Sequence, residues 1–130
     1  MITVLKIEPR KEPMMIALEP TLEALRNAVS AGTDESVNVR SKEVGGCAYI
    51  VYAADGIIHD LEPNRKVDGE IICGTFFAVA VNDEGYATTL TYGQACEYSE
   101  MFREIENYTY SEALKDWSGR FRKELDEMDE

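Results

Sequence analysis

The sequence predicts an α+β domain: a mostly antiparallel sheet of about five or six strands with helices packed chiefly on one face. Residues 70–81 (EIICGTFFAVAV) and 47–54 (CAYIVYAA) are apolar on both alternations, the pattern of strands buried on two sides. The remaining strand-like runs are short and parted by turn residues, which favours antiparallel neighbours. Apolar residues recur at helical spacing in three further stretches. At 130 residues the chain fits one domain, 1–130, large enough to bury a core without staples.

In chain order, residues 2–8 have the β-branched bias of a strand, and the turn-rich PRKEP segment leads to a second apolar run at 14–18, an opening hairpin. Pro20 sets a helix start, and Leu18, Leu22, Leu25 and Val29 form its stripe, with Gly32 as the stop signal. A short strand is expected at 37–40 and a loop at 41–46. Asp55-Gly56 reads as a tight turn, because glycine accepts positive φ without a clash. Residues 59–68 carry Pro63 and mixed charge, so the ladder is expected to lapse there before the central strand begins at Glu70. Within 70–81 the odd positions are bulky and the even ones include Gly74, Ala78 and Ala80, so a helix can press closely on the even side.

Asn82-Asp83-Glu84-Gly85 is a second turn, returning into a partly exposed strand at 86–90. Thr91 suits the cap of a helix with the stripe Ala95, Tyr98, Phe102 and Ile105. A last helix is expected from Ser111, with Leu114, Trp117, Phe121, Leu125 and Met128 along one side and a kink at Ser118-Gly119. Residues 106–130 thus form an acidic amphipathic tail beside a core of 1–105.

The net charge is −12, and it is uneven, with −3 over residues 1–65 and −9 over 66–130. Such a field repels phosphates, which argues against direct nucleic-acid binding and favours cationic partners, including proteins that normally bind nucleic acid. Cys47, Cys73 and Cys96 are odd in number and widely spaced, the usage expected of buried reduced thiols in a cytoplasmic protein. The apolar run at the N-terminus breaks at Lys6, too early for a signal peptide, and no stretch approaches a membrane span.

Several segments in fixed order resemble an uncharacterised family known as domain of unknown function 3846. They are Glu8-Pro9-Arg10-Lys11-Glu12-Pro13 (an EPxKEP-like turn), the TLEALR helix at 21–26, a DG turn, Leu61-Glu62-Pro63-Asn64-Arg65 (an LPPNR-like loop) and an IxGTFxVV strand at 72–79. Glu62 departs from the loop's usual proline. The resemblance covers residues 2–105 and implies a small protein of phages, plasmids and other bacterial mobile elements. It supplies no established activity and no catalytic residues.

For chemistry, Asn64 and Arg65 in the loop, with His59 nearby, are the candidates for a small-ligand or nucleotide site, since a planar guanidinium suits carboxylate or phosphate. The bland alternative has Asn64 holding the loop backbone and Arg65 pairing with Glu62 or Asp68. His59 beside Asp55 and Asp60 has acid-base character, but no nucleophile or oxyanion donor is recognisable near it. Glu97, Glu100 and Glu104 at spacings of three and four fit a solvated helix face better than a metal site, and no cofactor motif is found. The expectation is a non-enzymatic, cytoplasmic accessory protein that binds another protein, with Glu97, Glu100, Glu104, Asp116, Asp126 and Glu127 as the negative surface, an anti-defence role as its specific form, and the C-terminal helix available for a homodimer.

Overall fold

The computed structural model describes all residues except Gly32, Asp34, Glu35, Gly46, Asp129 and Glu130, and omits the side chains of Phe121 and residues 124–128. Six strands form one antiparallel sheet: β1 (Ile2–Ile7), β2 (Met14–Leu18), β3 (Val39–Gly45), β4 (Ala48–Ala53), β7 (Phe76–Val81) and the short β8 (Ala87–Thr88). The order is β2-β1-β7-β4-β3, with β8 paired to β7. A separate hairpin joins β5 (Pro63–Val67) to β6 (Glu70–Cys73). Three helices complete the α+β fold: α1 (Leu22–Val29), α2 (Tyr92–Met101) and α3 (Tyr110–Met128).

The central position of β7 follows from its composition. Every one of its residues but the last is buried, and alternation divides them between two cores. Phe77 and Val79 join Val4, Val51, Leu25 and Val29 on one side, where α1 and, through Ala113, α3 add cover. Phe76, Ala78 and Ala80 join Leu5, Ile7, Ile50, Tyr98 and Phe102 on the other, where α2 packs. The small side chains on that side admit a helix closely, and Phe102 meets Phe76 edge to face with ring centroids 5.3 Å apart.

Side-chain caps fix the helix starts. Thr21 Oγ1 accepts from the Ala24 amide, and Thr91 with Gln94 forms a reciprocal capping box. Thr109 and Glu112 do the same for α3, and the Thr109 backbone and hydroxyl bonds hold the Glu112 carboxyl below its usual range. Gly32, the expected stop of α1, lies outside the described residues.

Several local expectations change. Residues 70–81 form two strands in two sheets, because Gly74 turns the chain with φ of 92° and donates its amide to Glu62 O at 2.7 Å. The expected loop at 41–46 is mostly strand: β3 reaches Gly45, and its polar alternation is that of a sheet edge. Asp55-Gly56 opens a 3₁₀ helix, Gly56–His59, and the tight hairpin falls instead at Asp68-Gly69, with φ of 49° and 81° between Val67 and Glu70. Ala113 rather than Leu114 is the buried residue at the start of α3, and the helix continues through Ser118-Gly119. Cys47 and Cys96 are exposed, while Cys73 is buried.

Candidate functional site

Asn64 and Arg65 sit on β5 and are, among the described residues, the two buried polar side chains, 0% and 1% exposed. Their hydrogen-bonding capacity is spent within the chain. Asn64 Nδ2 donates to Ile7 O at 3.0 Å and to Gly74 O at 2.9 Å, and its Oδ1 accepts from Arg65 Nη1 at 2.8 Å. Arg65 Nε donates to Glu104 O, Nη1 also to Glu8 O, and Nη2 to Lys11 O and Phe102 O, at 2.7–3.1 Å. A guanidinium has five N–H groups, and each is used.

The acceptors are main-chain carbonyls and an amide oxygen, so the charge is held by dipoles instead of a hydrogen-bonded carboxylate. Burial lowers the proton affinity of Arg65, which the charge of Glu106 partly restores. The arrangement ties together the turn after β1, the C-terminal end of α2 and the bend at Gly74. Three of the segments that carry the family resemblance, residues 8–13, 61–65 and 72–79, therefore meet at one internal knot. Phe102 caps α2, so Arg65 also places a cation against that helix's terminal carbonyls.

His59 lies elsewhere in the bonding scheme. Its Nε2 is 3.1 Å from Asp55 Oδ2, and Asp55 Oδ1 accepts from the Asn38 amide at 2.8 Å. Tyr110 Oη bonds to Ile57 O at 3.3 Å and to Asp60 Oδ1 at 3.5 Å, so the 3₁₀ helix is braced between the approach to β3 and the start of α3. Asp55, which bonds His59, is not among the five acceptors of Arg65.

The acidic candidates divide. Glu97, Glu100 and Glu104 are exposed on α2 and its exit, and Arg103 lies 3.6 Å from Glu100. Asp116 is on α3, in the other core layer, and is engaged: Oδ2 accepts from the Ile71 amide and from Arg120 Nη2, each at 3.0 Å. The side chains of Asp126 and Glu127 lie outside the described residues. Among the described residues no three His, Cys, Asp or Glu side chains cluster as a metal centre would need, and no helix is long and apolar enough to cross a membrane.

A charged cluster missed by sequence reasoning surrounds Glu70. Arg120 of α3 contacts its Oε1, Lys42 of β3 approaches Oε2 at 3.8 Å, and Tyr52 lies beside it. Burial, then the Glu70 charge, push the Tyr52 hydroxyl up to about 12. The available signal was Glu70 itself, the lone charge in an otherwise apolar or neutral run of residues 70–81.

No curated protein and no solved structure matches the chain. The family model described as "Domain of unknown function (DUF3846)" matches residues 2–103, a span that takes in β1 through α2, stops short of α3 and contains every bonding partner of Arg65 except Glu104; the chain belongs to that family.

Proposed function

We propose that the protein is a non-enzymatic, cytoplasmic accessory protein of a bacterial mobile genetic element that binds a basic partner protein through the outer side of α2. The observation carrying this reading is the division of that helix. Tyr98 and Phe102 are spent in the core, while Glu97, Glu100 and Glu104 stand exposed on a protein of net charge −12. A cationic groove that normally receives nucleic acid is the complementary surface, which makes interference with a host defence protein the specific form of the proposal. The family resemblance supports the mobile-element setting.

The test is capture from bacterial host extract at low and high ionic strength with the native protein and with Glu97→Lys/Glu100→Lys/Glu104→Lys. Expected is retention of nucleic-acid-binding proteins at low salt, release at high salt, and loss on charge reversal. Retention indifferent to both sinks the proposal.

A small-ligand reading is favoured by a different place from the Asn64–Arg65 loop. A trough of about 430 Å³ lies between α1 and the sheet, floored by Val51 and Val79 and flanked by Leu22, Leu25, Tyr49 and Arg26. Thermal stabilisation by a nucleotide or metabolite panel, abolished by Arg26→Ala, would support it.

A further inference from the structure

We infer that β2 is a self-association edge: two copies of this chain pair β2 with β2 in antiparallel register about Ile16, joining their sheets. The sheet has two edges, and they are built differently. β3 carries Arg40, Lys42 and Glu43 and a register break between Glu43 and Gly45. Charges and bulges of this kind keep an edge from pairing with another chain. β2 is MMIAL, with neither charge nor proline, and its ladder to β1 is unbroken from Leu18 to Met14. Met14 is 52% and Met15 40% exposed, and Ala17 is exposed as well.

Charge selects a second copy as the occupant. Arg10 and Lys11, followed by Glu12, precede β2, and Glu19 and Glu23 follow it, all exposed, so that residues 10–12 carry a net +1 and residues 19–23 a net −2. Arg10 and Lys11 already pair with Glu62 and Glu8, yet their side chains stay 70% and 69% exposed and within reach of a neighbour. Two-fold antiparallel pairing sets the basic approach of each strand beside the acidic exit of the other, at both ends. The same rotation puts Ile16 opposite the partner's Ile16, Met14 opposite the partner's Leu18 and Met15 opposite the partner's Ala17. Apolar side chains then meet on both faces.

Pairing also closes the assembly along the β2-β1-β7-β4-β3 path, since that path then ends at both sides in a β3 edge guarded by charge and a register break. Copies of charge −12 repel at long range, but physiological salt screens that repulsion beyond about 8 Å, farther than paired strands lie apart.

The experiment is sedimentation equilibrium of the full chain at physiological ionic strength, for the native protein and for Met15→Lys, Ala17→Lys and Leu114→Lys. Expected is a concentration-dependent native dimer, weakened about tenfold or more by each β2 charge and unchanged by Leu114→Lys on the exposed side of α3. Far-UV circular dichroism and Tm check that each variant is folded; the two β2 sites are independent, so one misfolded variant leaves the other as the test. A native protein that stays monomeric, a dimer indifferent to charge on β2, or one broken by Leu114→Lys alone overturns the inference.

Discussion

A guanidinium can close several carbonyl-lined ends at once, because its donors lie in one plane at fixed angles. Arg65 uses that geometry to hold four main-chain carbonyls from two separate segments as well as the Asn64 amide oxygen. Lysine offers three donors from one nitrogen, so Arg65→Lys keeps the charge and strands at least two of these acceptors. At roughly 1–3 kcal/mol for each buried unsatisfied group, the loss should be about 3 kcal/mol or more. Urea unfolding will read this as a lower midpoint with an unchanged m-value. An arginine held for a soluble ligand would behave otherwise, its replacement moving ligand affinity and leaving the midpoint nearly in place.

At the scale of elements, the parts legible in the sequence are those whose local chemistry matches their tertiary use. Thr91 is a cap in both readings, whereas the first helix, expected to start at Pro20, is capped by Thr21; the two-sided apolar runs contain the buried strands β4 and β7. The two Asp-Gly pairs show where local chemistry stops deciding. At Asp68-Gly69 both residues take positive φ and make the hairpin. At Gly56 the absent side chain serves packing instead, since a Cβ there would strike Cys73 O, and the Asp55 carboxylate is drawn away to Asn38 and His59. The continuation of the edge strand β3 past Arg40 was illegible because an edge needs no apolar alternation. The Asn64–Arg65 knot shows as two polar residues in a loop, and only the distant segments that supply its acceptors reveal it as interior.

Two contacts between elements can be tested directly. A Cβ on Gly45 would collide with Tyr98 Oη, so the β3–β4 end and α2 fit only because one lacks a side chain. Gly45→Ala should cost about 1–3 kcal/mol through overpacking, and Tyr98→Phe, which removes the colliding atom, should recover part of it in a double-mutant cycle. Additive losses would show that the contact is not the cause. For α3, Asp116→Ala removes the acceptor for the Ile71 amide and the partner of Arg120. The expected cost is about 1–2 kcal/mol with faster exchange of the Ile71 amide, while Asp116→Asn keeps that amide protected.

Across the whole molecule, the titrating groups make stability fall toward both ends of the pH scale. On the acid side Glu8 is held low by its bond to Lys6 and then by Lys11, so its contribution is present above the ordinary carboxylate range and is lost as pH falls through its folded value. The alkaline side draws on more of the fold. Burial, the first cause, with the Glu70 charge, raises Tyr52 from 10.0 to about 12, and burial raises Cys73 from 9.0 to about 12. Tyr108 goes to about 12 through its bond to Glu106 and then burial, and burial also raises Tyr98. The unfolded chain releases these protons near 9 and 10 while the folded chain keeps them, so the stabilisation is full below about 9 and declines as pH rises toward 12. Tyrosinate absorbance should therefore show Tyr52, Tyr98 and Tyr108, of seven tyrosines, ionising late and together with loss of the far-UV circular dichroism signal. Tyr108→Phe should remove one late proton, and denaturant should return all seven to an ordinary titration. A native protein whose tyrosines all ionise near 10 with its secondary structure intact would show that these side chains are open to water and that the two core layers flanking the sheet are not closed as described.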